Sequence, residues 1–301
     1  MDSLILPRSR RFPEPFPLTG HIRLNEELLR SNHMYSKEGN EVKVSRVGSI
    51  VIVGTLIGLL LWGSALAYGK QPIRVVFSTN EDYDISMYGT DEGLKEIEED
   101  LQLIRELGVS RLRVSFSWSN YETAQGEFVN LEWLHRFVDL ADEYDITLMP
   151  YLCYAPMWAA VYGHWSDPPE DYQYWYDYVY RMVSEFKDQI HYWEIWNEED
   201  MDMWFSGSVK QYAKLLEVGA KAVRDANPEA TVIMGGLTWP NSAWLEQVLD
   251  QVEPDTFDVL PIHSYAESWS SSSVESYLTS RGSDFDSIAS VLNETGTGQP
   301  I

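Results

Sequence analysis

After residue 68 the chain repeats one pattern, and that pattern limits what it can fold into. A short apolar run is followed by a segment with apolar residues three and four apart, and then by another short run. The runs at 73–79, 111–118, 146–154, 190–196, 231–235 and 259–264 read as strands. The segments at 91–107, 131–144, 171–187, 209–226, 242–251 and 285–292 read as helices. In the first of these, Leu94, Ile97, Leu101, Ile104 and Leu107 form one face, and Gly108 stands just past its end. Ser270–273 opens a loop, and Gln299-Pro300-Ile301 enters a seventh run. Strands separated by single helices are joined by right-handed crossovers and lie parallel.

A doubly wound sheet gives the same count of elements. Its dinucleotide-binding version is disfavoured, because Ser78-Thr79-Asn80-Glu81 after the first run contains no glycine. Polar and aromatic residues instead recur where the runs end: Trp118, Tyr154, Asn197 with Glu198, Trp239, and His263 with Tyr265. A TIM (β/α)8 barrel gathers its functional groups at that face. The expected fold class is therefore α/β, an incomplete TIM barrel over 73–301 with about six strands and the start of a seventh.

Charge is unevenly placed. Residues 1–67 carry 8 Lys/Arg against 6 Asp/Glu, and residues 68–301 carry 14 against 41. The second part would repel nucleic acid and anionic substrates, so a neutral ligand fits it better; acidity for solubility alone gives the same count. With 12 Trp and 18 Tyr the chain has aromatics enough to fill a core or to offer flat platforms. Cys153 is the only cysteine, in an apolar run, and reads as core packing. No HExxH or CxxC pattern occurs, so neither a metal nor another cofactor is expected.

Residues 47–68 contain no charge over 22 positions, long enough to cross a bilayer as a helix. Lys37, Lys43 and Arg46 precede the segment, and Glu81, Asp82 and Asp84 follow it. The positive-inside rule then leaves a disordered cytoplasmic tail at 1–46 and puts everything after 68 outside. Two readings of the segment stay open: a signal anchor, or a signal peptide cleaved near Ala65-Leu66-Ala67 when translation starts at Met34. Gly54 and Gly58 form a GxxxG pair, a weak sign of helix pairing.

The run Trp193-Glu194-Ile195-Trp196-Asn197-Glu198 stops abruptly at an amide and a carboxylate. Alternation puts Glu194, Trp196 and Glu198 on one side of the strand, and Ile195 and Asn197 on the other. A carboxyl at the barrel mouth, hemmed by Trp196, would have its proton stabilised by desolvation, as a general acid near neutral pH requires. Asn197 both donates and accepts, which suits gripping a sugar hydroxyl beside the reacting carbon.

These residues resemble the retaining glycoside hydrolases of clan A, in particular the family 5 and family 39 type. In that clan an Asn-Glu pair ends the fourth strand, and its Glu is the acid/base, here Glu198. Arg113, in Arg113-Val114-Ser115-Phe116-Ser117-Trp118, corresponds to the arginine beneath the nucleophile. His263-Ser264-Tyr265 corresponds to the His-x-Tyr whose tyrosine contacts the nucleophile. Tyr154-Ala155-Pro156-Met157-Trp158 resembles the loop after the third strand. Glu199 departs from the pattern, since the clan usually has proline there.

Other readings of the same residues stay open. Arg113 could form a structural ion pair with Glu194, His263 could be a core histidine, and Tyr265 could be packing. Trp118, Tyr154 and Trp158 are candidate substrate contacts. Trp165, Trp204, Trp239 and Trp269 stand in loops of the open face as candidate platforms.

The resemblance implies hydrolysis of O-glycosidic bonds in a neutral glycan by double displacement. The clan's nucleophile, a Glu ending the seventh strand, would lie beyond residue 301, so the chain is expected to be an inactive fragment. A surface carbohydrate-binding protein without catalysis and a cell-envelope transglycosylase are the alternatives. Oligomeric state is not legible.

Overall fold

In β2 (Arg111–Ser117) every second side chain is fully buried: Leu112, Val114 and Phe116. That period of two makes the run a strand, and register carries it across the sheet. Arg113 lies opposite Met149, and Ser115 opposite Tyr151, of β5 (Thr147–Cys153). Tyr151 lies opposite Glu194 of β6 (Tyr192–Ile195), and Glu194 opposite Ile233 of β7 (Thr231–Met234). With β1 (Ser78–Asn80) beside β2, these strands form a parallel sheet in the order β1-β2-β5-β6-β7. The computed structural model describes residues 78–263 and 274–296.

Helices cover one face of that sheet. They are α1 (Ile85–Tyr88), α2 (Asp91–Glu106), α3 (Trp118–Tyr121), α4 (Leu131–Glu143), α5 (Tyr172–Phe186), α6 (Val209–Ala226), α7 (Ser242–Leu249) and α8 (Val274–Glu294). A two-stranded antiparallel hairpin, β3 (Glu122–Ala124) with β4 (Glu127–Phe128), follows α3. Helix starts are capped by short polar side chains, which satisfy backbone N–H groups left without a partner. Thr90 accepts from Gly93 N at the head of α2, and Ser208 and Gln211 form a reciprocal capping box on α6.

The core lies between sheet and helices. Phe116 and Trp193 meet edge to face beneath Phe186 of α5, and Ile195 packs against Gly219 of α6, where a Cβ would come within 3.1 Å of it. Each large apolar side chain removed from water here contributes about 1.5–3 kcal/mol before entropy is counted. The other face of the sheet carries Arg113, Tyr151, Glu194 and Ile233. It curls so that Ser78–Asn80 and residues 259–263 line one cleft of about 410 Å³. This is the arc of a TIM-barrel-like fold, with its lumen on that side.

The sequence pattern located most helices and strands within a few residues, but missed α1, α3 and the hairpin, and the last helix begins at Val274 rather than near residue 285. The sixth run is only partly a strand. Residues 259 and 262 make isolated parallel bridges to Ile233 and Leu237. Pro261 between them has no N–H to donate, so the ladder is interrupted. The tail at 1–46, the apolar segment at 47–68, residues 73–77, Trp269, the loop at 270–273 and the run at 299–301 lie outside the described residues. Among the described residues, no helix is long and apolar enough to cross a membrane.

Candidate active site

Arg113 is the centre of the lumen face. Its guanidinium grips Glu194 with two bonds, Nε to Oε2 at 2.8 Å and Nη2 to Oε1 at 2.7 Å. Nη2 also donates to Asn197 Oδ1 at 2.8 Å, and Nη1 to Asn80 Oδ1 at 3.0 Å. The plane lies 4.0 Å from the centroid of Tyr151, whose hydroxyl donates to Asp82 at 2.5 Å. Burial opposes the charge on Arg113, but Glu194 outweighs it and holds the guanidinium's pKa above its ordinary value. The ion-pair reading of Arg113 therefore holds, and the same side chain also reaches Asn197.

Strict alternation fails at the end of β6. Trp196 and Glu198 adopt left-handed backbone, with φ of 78° and 51°. Such conformations cost about 1–3 kcal/mol each and persist only where surroundings impose them. The first one turns Trp196 away from Glu194 and into the core: it is fully buried against Trp175 and Phe205, and its Nε1 donates to Trp204 O. Trp196 thus does not hem Glu198 in. The same turn brings Asn197 round to the Arg113 side. With Oδ1 held by Arg113, the Asn197 amide must point Nδ2 toward the Tyr154 hydroxyl, 3.2 Å away.

Glu198 is 8 % exposed, and its Oε1 lies 2.7 Å from His263 Nδ1. Its backbone N donates to Gly236 O. Gly235 and Gly236, just past β7, make room for this arrangement. A Cβ on Gly236 would come within 2.3 Å of His263 Nε2, and one on Gly235 within 2.0 Å of Glu199 Oε2. Neither position admits a side chain without displacing a carboxyl or imidazole group. Glu199 itself is buried behind the strand end, on the opposite side from Glu198.

Beside Asn197 stands an aromatic group. Tyr154 stacks on Trp204 with centroids 6.1 Å apart and meets Trp165 edge-on at 4.9 Å. Burial pushes the Tyr154 phenol well above its ordinary pKa, so it remains a neutral hydroxyl. The loops carrying Trp204 and Trp239 are tied together by Asp200, which accepts from Thr238 N, Thr238 Oγ1 and Asn241 Nδ2.

Glu198, Asn197, Arg113, His263 and Tyr154 are thus brought together. Two expected contacts are not. Trp118 is fully buried under the helices, stacked on Tyr178, with Nε1 donating to Glu122 at 2.5 Å. Trp158 packs edge-on against Trp118 and tilted against Tyr174, its Nε1 donating to Glu122 O. Both belong to the helical layer because β2 ends at Ser117 and β5 at Cys153, so alternation no longer sets their direction. Tyr265 lies outside the described residues. Sequence reasoning passed over Asn80, Asp82 and the Gly-Gly pair. The pair was the readable signal, since two glycines closing a strand mark a close approach.

Residues 72–299 match the family described as cellulase (glycosyl hydrolase family 5). A β-xylosidase of Geobacillus stearothermophilus is 26 % identical over 139 residues, which are 40 % of this chain and 27 % of that protein. A family 39 glycoside hydrolase from the gut symbiont Bacteroides cellulosilyticus WH2 superposes with a TM-score of 0.51 at 23 % identity, over 62 % of this chain and 37 % of that one. A monomeric β-xylosidase from Caulobacter crescentus CB15 gives a TM-score of 0.55 at 15 % identity, over 74 % and 50 %. The two structures speak for the fold, and the chain spans half or less of each of these relatives. Since the family match runs over most of its length, the chain belongs to the cellulase family, glycosyl hydrolase family 5.

Proposed function

We propose that this chain carries the acid/base of a retaining glycoside hydrolase acting on a neutral glycan. The observation that carries the reading is Glu198, held by His263 at a strand end beside the fixed amide of Asn197. Glu198 protonates the departing glycosidic oxygen; a second carboxylate, about 5–5.5 Å from it, forms the glycosyl-enzyme; Glu198 then takes a proton from the attacking water. Glu194 is poorly suited to the second role, because Arg113 and Gly236 N occupy its oxygens. Asn197, oriented by Arg113, offers Nδ2 to a hydroxyl beside the reacting carbon. His263 supplies a hydrogen-bond partner for the Glu198 carboxyl. The β-xylosidase relatives make β-xylosides the first substrates to try.

The test is Glu198→Gln in the full-length gene product. Turnover of glycosides with poor leaving groups should fall about 10²–10⁴-fold, while activated aryl glycosides lose less in the first step. Equal activity in both proteins would remove Glu198 from the mechanism, and glycan binding without any turnover would favour a binding protein. Product transferred to a sugar acceptor in place of water would identify a transglycosylase. We also place the site outside the cytoplasm, on the strength of residues 47–68; protease accessibility in intact cells tests that placement.

A further inference from the structure

Glu199 follows Glu198 and points the other way. Its carboxyl is 3 % exposed and wedged between the end of β7 and α6. Neither oxygen meets a donor at good hydrogen-bonding distance and angle, although the residue's own N–H and the Tyr212 hydroxyl lie close by. The nearby Tyr212 hydroxyl is already engaged, accepting from Gly235 N at 2.9 Å and donating to Ile195 O at 3.2 Å. The charged groups that face Glu199 are both acids: Glu194 on β6 and Asp200 in its own loop. From α6 it faces the Tyr212 phenol, and from β7 the Gly235 backbone. An unpaired buried carboxylate is so costly that the group stays protonated instead. Burial pushes its pKa well above the usual carboxylate range, and with the two acids it outweighs the residue's own N–H and the Tyr212 hydroxyl, which favour the charged form.

The position of this carboxyl matters because Gly235-Gly236 is shared. Glu199 leans on Gly235, Glu198 N donates to Gly236 O, and His263 lies against Gly236. We propose that Glu199 is a positioning residue for Glu198: protonated, it fills the niche behind Gly235 and fixes the left-handed turn that presents Glu198 to His263; ionised, it leaves the niche and the turn relaxes. The proposal rests on reading Glu198 as the acid/base and adds a control on it. Loss of activity at alkaline pH then follows the proton on Glu199, which touches neither substrate nor reacting atoms.

Two readouts test this on the full-length protein and its Glu199→Gln variant, which keeps the shape and cannot ionise. The first needs no catalysis: the His263 imidazole resonances are followed by NMR from pH 5 to pH 9.5, assigned by their loss in His263→Asn. The second is kcat and KM against pH on an aryl β-xyloside. The wild type should show an alkaline transition in the His263 signals that coincides with loss of kcat, with KM nearly constant. In Glu199→Gln both midpoints should rise by about one pH unit or more. No alkaline transition at His263 in the wild type overturns the proposal, whether or not the variant folds. An unmoved midpoint in the variant also overturns it, and leaves the hydrolase reading standing if turnover persists. A His263 midpoint that moves in a protein without turnover supports the positioning role and sinks the hydrolase reading.

Discussion

Arg113 does two jobs with one guanidinium, and the two can be separated by substitution. It neutralises Glu194, which is 2 % exposed, and it sets the orientation of the Asn197 amide. Arg113→Ala leaves Glu194 buried without its counter-charge, so urea unfolding should show a loss of about 3–5 kcal/mol. Arg113→Lys keeps a charge but cannot make the two-pronged grip, and should recover only part of that loss. If Arg113→Ala unfolds within error of the wild type, the pair is not structural. This pairing was legible as an alternative in the sequence, since both residues fall on strands expected to point side chains into the same lumen, here with β5 between them. The flip at Trp196 was not: a period-two pattern assumes extended backbone, and left-handed φ at a tryptophan leaves no mark in composition.

At the level of elements, the alternation of parallel strands and helices was readable from short apolar runs and the apolar residues three and four apart between them. Register was not, because β5, β6 and β7 bury consecutive residues rather than every second one. The ends of strands were no more legible. Trp118 looked like part of the face that meets substrate, yet it starts α3 and supports the helical layer. Trp118→Phe keeps most of the ring contacts but removes the indole N–H from Glu122, itself 2 % exposed. A hydrogen bond to a charged group of that kind contributes about 1.5–3 kcal/mol. Stability should fall by that order, with KM for any glycoside unchanged; a raised KM would return Trp118 to the binding face. Glu122 also accepts from Gly126 N, which ties the hairpin to α3.

For the whole molecule, the unequal sharing of protons makes a prediction about pH. Asp167 accepts from Tyr162 N, His164 N and Ser206 Oγ. Burial would raise its pKa, but these donors outweigh burial and hold it below the ordinary value. The stability it contributes is present above the ordinary Asp pKa and is lost as pH falls through the lowered one. Glu199 has the opposite sign. Its folded pKa is raised, so the native chain binds more protons than the unfolded one, and stability falls as pH rises from the ordinary Glu value through the raised one. Unfolding free energy across pH should therefore be dome-shaped, with the alkaline side flattened in Glu199→Gln; an unchanged alkaline side would mean that Glu199 folds ionised.

Gly235 and Gly236 carry no functional group, yet one backs onto a buried acid and the other onto the imidazole that holds Glu198. Every coding change at either position adds at least a β-carbon. In a saturation library selected for turnover, these two columns should empty as completely as that of Glu198. A reader of such a map would then find three intolerant sites where only one performs chemistry.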